Sequence, residues 1–279
     1  MKYQLWLFIV FSMLSQSLKA DTPLTIGVAS NFQLPLKQLL AESPTWDTQN
    51  IRIVVGASGS LYNQVVKGAP LDVVLLANSE WPERLYNEGL ASQVHSYAIG
   101  KLVVWPFGKA NTRLINISKA LNATQGKIAI AHPEQAPYGA SAKAFINKLP
   151  INANIQANLV LARSVSQAFQ FVDSGNAQVG FVAESLLIQA YKKLGKSKYL
   201  DYYLIPQEQY PKIVQKLALL NSVNNRSTKI QSQANDFIDF LLNEKTQEKL
   251  EKLGYSPLSL GPTRSAVSAN ELPGLSAHE

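Results

Sequence analysis

The residues in this chain best placed to do chemistry are uncharged. The stretch Gly56-Ala-Ser-Gly-Ser-Leu-Tyr-Asn-Gln-Val65 follows the apolar run Ile51-Arg-Ile-Val-Val55 and leads into Leu61, Tyr62, Val65 and Val66 at helical spacing. The pattern predicts a strand, a small-residue turn through Gly56 and Gly59, and a helix from about Ser60. The first amides of a helix have no partner within it, and with the helix dipole they form an anion site when they face a cleft. A phosphate-binding NTPase loop would add a lysine at fixed spacing, but no lysine occurs between Gly56 and Lys67. An anion held here would therefore meet neutral donors.

Three other loops have the same character: Ser30-Asn31, Pro137-Tyr138 and Ser164-Val165. Each stands where an apolar run ends or a helical pattern begins. Ser30, Asn31 and Ser164 suit helix starts as well as they suit ligand binding. Val165 could contribute only its backbone N–H. An enzyme would need a different constellation. His95, His132 and His278 are not at metal-ligand spacing, and there is no Gly-x-Ser-x-Gly elbow. His132 and Glu134 lie beside a candidate loop and read as structural and solvated residues, and Asp72 reads as a partner of backbone or of a neighbouring loop.

The elements that would position these loops alternate. Leu24–Val28, Ile51–Val55 and Leu71–Leu76 read as strands, with helices between them and after the third. A parallel sheet flanked by helices is the natural arrangement. The apolar strand Leu102-Val-Val-Trp-Pro106 breaks the rhythm. A second alternating set then runs through Lys127–Ala131, Leu159–Leu161 and Val179–Val182. The stretch Ile213–Leu220 returns, and the last helices span Ile230–Leu242 and Thr246–Leu253 with Gly254 as a cap. Two α/β units joined by two crossing strands imply two lobes. The first comprises residues 21–101 and 212–261, the second 102–211, and a polar tail covers 262–279. Hinge positions fall near Gly100–Val104 and Pro211–Gln215. Ligands of such sheets bind beyond the strand carboxyl ends, where all four loops lie.

Composition fits a globular protein: 46% of the 279 residues are hydrophobic and 16% charged. The chain has no cysteine, which excludes disulfides and thiolate metal sites. Lys2, the apolar Leu5–Leu14 and the small residue Ala20 form a secretory leader over residues 1–20, too short for a stable span. Its removal lowers the 26 basic residues to 24 against 19 acidic ones, a net charge of +5. The bases are unclustered, so no nucleic-acid groove is expected.

In order and spacing, the pieces Val28-Ala-Ser-Asn-Phe32, Gly56–Tyr62 with Gly68-Ala-Pro-Leu-Asp72, His132-Pro-Glu-Gln-Ala-Pro-Tyr-Gly139, Val179-Gly-Phe-Val-Ala183 and Leu253-Gly-Tyr255 resemble the periplasmic molybdate-binding proteins of ABC importers. The resemblance covers residues 24–257. It implies a monomeric, non-enzymatic, periplasmic receptor without cofactor, which closes on molybdate or tungstate and delivers it to a membrane permease. It also implies that the oxyanion is held through its oxygens by Asn31 (with Ser30), Ser58, Tyr138 and the amide of Val165, with no direct metal ligation. Some relatives place a tyrosine where this chain has Ala183, which leaves Tyr138 as the phenol donor. Competing expectations are a receptor for another anion, such as sulfate or a small carboxylate, and a secreted enzyme acting on a small anionic substrate.

Overall fold

The computed structural model describes residues 23–105, 114–150, 153–256 and 258. The expected leader, residues 1–20, and the expected tail, 262–279, lie outside them. Among the described residues no helix is long and apolar enough to cross a membrane.

Two sheets form the frame. The first contains β1 (Leu24–Ala29), β2 (Ile51–Gly56), β3 (Val73–Leu76), β4 (Ala91–Gly100), β10 (Ile213–Leu220) and β11 (Tyr255–Ser256), in the order β11-β4-β10-β3-β1-β2. The second contains β5 (Leu102–Trp105), β6 (Ile128–Ala131), β7 (Leu159–Ala162), β8 (Val179–Ala183) and β9 (Tyr203–Leu204), in the order β7-β6-β8-β5-β9. Both sheets are mixed, which corrects the expectation of mostly parallel ones. Strands β1–β3 pair in parallel, as do β6–β8, but β10 runs antiparallel to β3 and β4, and β5 antiparallel to β8 and β9. The cause is the crossover. Strand β4 leaves the first sheet at Gly100, and β10 re-enters it at Ile213, which pairs with Gly100, so the connection out and the connection back lie side by side.

Helices cover both faces of the first sheet. Alternation along β3 sends Val73 and Leu75 to one apolar layer and Val74 and Leu76 to the other. The first layer holds α1 (Gln33–Ala41) through Leu36, Leu39 and Leu40, and α9 (Thr228–Leu242) through Ile230, Ala234, Phe237, Ile238 and Leu241. The second holds α2 (Ser58–Val66) through Leu61 and Val65, and α3 (Glu80–Asn87) through Leu85. In the other lobe, α4 (Leu114–Ala123), α5 (Pro137–Ile146), α6 (Ala153–Asn158), α7 (Val165–Asp173) and α8 (Glu184–Leu194) pack around one core that includes Trp105, Phe145 and Phe181. The chain closes with α10 (Glu244–Lys252), and Gly254 follows at a φ of +88°.

Asp72 acts as the sequence suggests. It accepts from the Thr25 amide at 2.8 Å and pairs with Arg226 at 2.8 Å, tying the start of β1 to the loop before α9.

Candidate functional site

The four neutral loops meet. Ser30-Asn31, Ala57-Ser58, Pro137-Tyr138 and Ser164-Val165 line one small space of about 10 Å³ between the lobes, and no charged side chain is among its lining residues. Sites for drug-sized ligands run to roughly 300–1,000 Å³, so this space excludes them.

Three helices begin at this space: α2 at Ser58, α5 at Pro137 and α7 at Val165. None carries an acid in its first turn. Two of the residues before them, Ala57 and Ala136, cannot cap with a side chain. Orphan amides and three positive dipole ends are thus left beside one space. The N–H groups of Asn31, Ser58 and Val165 have no acceptor among the described residues. Gly139 makes the approach of α5 possible, because a Cβ there would sit 2.1 Å from the Ala131 carbonyl oxygen.

Local details differ from the sequence reading. Helix α2 starts at Ser58 rather than Ser60, since Ser58 Oγ accepts from the Ala77 amide at 2.9 Å and anchors the first turn to β3. A serine hydroxyl that accepts this bond still has its own hydrogen to donate. Ser30 and Asn31 are not caps. Helix α1 begins at Gln33 after Phe32, and the turn before it closes through Phe32 N–H to the Ala29 carbonyl. Ser164 caps α7, its Oγ accepting from Gln167 N–H.

Asn31 and Tyr138, both about 1% exposed, come from different lobes and touch the same side chain. Asn31 Nδ2 donates to Gln215 Oε1 at 3.0 Å and lies 3.3 Å from the Tyr255 hydroxyl. These two acceptors account for both amide hydrogens, so the donor that Asn31 keeps for the space is its backbone N–H. Gln215 Nε2 donates to the Tyr138 hydroxyl at 3.3 Å. Burial, followed by the neighbouring phenols Tyr255, Tyr210 and Tyr97, pushes Tyr138 well above the ordinary tyrosine pKa and outweighs the Gln215 bond, so the group stays neutral and protonated. His132 does not line the space, and its Nδ1 accepts from Glu134 N–H at 3.3 Å. Among the described residues no group of three or more His, Cys, Asp or Glu side chains could hold a metal ion.

The family model for the bacterial extracellular solute-binding proteins matches residues 24–256. The chain belongs to that family. This solute-binding protein is 34% identical over 231 residues to the molybdate-binding protein ModA of Rhodobacter capsulatus, covering 82% of this chain and 86% of the relative. It is 33% identical over 235 residues to ModA of Azotobacter vinelandii, covering 82% and 88%. Among solved structures, the periplasmic molybdate-binding protein of Azotobacter vinelandii superimposes with a TM-score of 0.72 at 32% identity, covering 84% of this chain and 98% of that one.

The lobes of this solute-binding protein are closed against each other. Gly59 N–H donates across the cleft to the Gln135 carbonyl at 3.0 Å, Ser166 Oγ to the Ser30 carbonyl at 2.9 Å, and Ser185 Oγ to the Asn31 carbonyl at 3.3 Å. Sequence reasoning missed Ser166, Ser185, Tyr97 and the role of Gln215. The first two are ordinary early-helix serines by pattern. Tyr97 and Gln215 sit on the crossing strands, where the only available signal was a polar glutamine at the start of an apolar run.

Proposed function

We propose that this protein captures molybdate, and tungstate with it, in the periplasm and delivers it to the membrane permease of an ABC importer. The observation that carries the reading is a small space formed where three helix N-termini and the Ser30-Asn31 turn meet, with no charge in its lining. The names of the relatives supply the ion. The donors assigned are the Ser58 and Tyr138 hydroxyls and the N–H groups of Asn31, Ser58 and Val165, with Ser30 shaping the turn. They act on the oxygens of the ion and need no cofactor. The protein works as a monomer, carries no catalysis, and is exported by the leader at residues 1–20.

Burying a dianion is costly unless every oxygen is hydrogen-bonded. Bonds to charged groups contribute about 1.5–3 kcal/mol each, and the five preset donors together act against the dehydration. A donor-only site also selects. Near neutral pH phosphate carries a proton that finds no acceptor there, and an unpaired polar group at a tight site is strongly rejected. Release needs the lobes to part by rotation about Lys101 and Pro211-Lys212, the links between the sheets, which breaks the cross-cleft bonds of Gly59, Ser166 and Ser185.

Titration calorimetry against molybdate, tungstate, sulfate and phosphate tests the reading. Tight binding of the first two is expected. A protein that takes sulfate but not molybdate is instead a sulfate receptor on the same chemistry, and absence of heat with all four removes the oxyanion reading.

A further inference from the structure

We infer that Gln215, behind the wall of the site, sets the direction of the hydrogen bonds there and thereby makes Tyr138 a proton donor to the bound anion. The inference rests on the oxyanion reading above and makes Gln215 a positioning residue that determines specificity.

Gln215 is fully buried on β10, two residues after the chain re-enters the first lobe. Its Oε1 receives two donors, Asn31 Nδ2 at 3.0 Å and the Tyr97 hydroxyl at 2.9 Å. Tyr97 reaches it because the β10–β4 register slips at this point: Gln215 opposes Ala98 and Lys216 opposes Ser96, leaving Tyr97 as the extra residue. Turning the amide over would set Nε2 against the Asn31 amide nitrogen, donor facing donor. Oε1 is therefore fixed toward the first lobe and Nε2 toward Tyr138. An amide nitrogen only donates, so the Tyr138 oxygen must accept at 3.3 Å. The single phenolic hydrogen is then free to point elsewhere. It has no acceptor among the described residues, and Tyr138 lines the space between the lobes.

Gly100 locks the arrangement. A Cβ there would lie 2.2 Å from the Tyr138 hydroxyl and 2.8 Å from Gln215 Nε2, so the backbone of the crossing strand packs directly on this bond. One buried amide thus reads the position of Asn31 in one lobe and fixes the proton of Tyr138 in the other. A site wired this way favours fully deprotonated oxyanions, because a protonated one brings a hydrogen to a place where the phenol already supplies one.

Gln215→Glu reverses the wiring at nearly constant shape. A carboxylate accepts from Tyr97, Asn31 and Tyr138 alike, which turns the phenolic hydrogen inward and leaves its oxygen as an acceptor toward the ligand. The added charge weakens every anion, so affinity alone is not the readout. The test is a binding cycle by calorimetry on the parent, Gln215→Glu, Tyr138→Phe and the double variant, with molybdate, sulfate and phosphate. Tyr138→Phe is expected to weaken molybdate at least tenfold in the parent and less than about threefold beside Gln215→Glu. The molybdate-over-phosphate preference is expected to fall at least tenfold in Gln215→Glu. If that variant does not fold, Gln215→Met replaces it; with no amide hydrogen on the phenol oxygen, that oxygen can accept from a protonated oxyanion, and the molybdate-over-phosphate preference is again expected to fall. An equal penalty in both backgrounds, or an unchanged preference, overturns the inference while leaving the oxyanion reading intact. A parent protein that binds none of the fully deprotonated oxyanions overturns both.

Discussion

Ser58→Ala separates two roles that one hydroxyl performs. Its Oγ is almost fully buried and accepts from Ala77 N–H at 2.9 Å, while its hydrogen is available to an anion between the lobes. Removing it leaves the Ala77 amide without its partner, which costs about 1–3 kcal/mol of stability. It also removes one bond to a charged ligand, about 1.5–3 kcal/mol, which at 1.4 kcal/mol per decade is roughly a 10- to 150-fold loss of affinity. Thermal unfolding of the ligand-free variant reads the first quantity and molybdate calorimetry the second. Asn243→Ala provides a matched control. It removes the cap that accepts from Thr246 N–H at 2.9 Å, lies outside the residues lining the space between the lobes, and costs about 1 kcal/mol of stability. The control is expected to melt earlier and bind as the parent does. If Ser58→Ala binds molybdate within twofold of the parent, or if the control loses as much affinity, Ser58 is not a ligand and the convergence of helix starts has been misread.

Gly100→Ala is expected to cost about 1–3 kcal/mol by overpacking against the Tyr138 hydroxyl and to weaken binding as well, since the displaced group belongs to the site; unfolding and calorimetry together check it. Affinity is expected to stay level from about pH 6 to 9, because burial holds the Tyr138 phenol well above its ordinary pKa and it keeps its proton throughout. A histidine donor would instead weaken the complex as pH rises through about 6.5, and calorimetry across that range distinguishes the two. Burial raises the Asp72 carboxyl above its ordinary value, against the lowering effects of the Thr25 amide and Arg226. Its stability contribution is therefore greatest below the unfolded value of about 3.9 and declines as pH rises through the raised folded one. Asp72→Asn is expected to abolish that slope in denaturant titrations.

Much of the frame was legible because local pattern and tertiary role agree. The runs at Leu24–Ala29 and Val73–Leu76 are buried strands, and the apolar spacing in Thr228–Leu242 is the face that packs on them, whereas Ile51–Gly56, which its apolar run marks as buried, is a half-exposed strand because it lies at the sheet edge. Strand direction was not legible. The Ile213–Leu220 run is equally apolar in either orientation, and only its pairing beside Ala91–Gly100 makes the sheet mixed. Helix starts were read one to two residues late where small residues mimic a turn. At Ser58 the deciding bond comes from Ala77, nineteen positions away in the chain.

The sequence alone determined the chemistry available to the site. Neutral donors at strand ends, no lysine near the glycine turn and no cysteine anywhere follow from residue identity, which no packing can change. Tertiary structure decided which of those donors face the space between the lobes. Asn31, Tyr138, Gln215 and Tyr97 are far apart in the chain, and a hydrogen bond has a direction that exists only once donor and acceptor are brought to about 3 Å. That Asn31 turns its amide inward and Tyr138 keeps a hydrogen to spare is settled where the two crossing strands bring them against one glutamine.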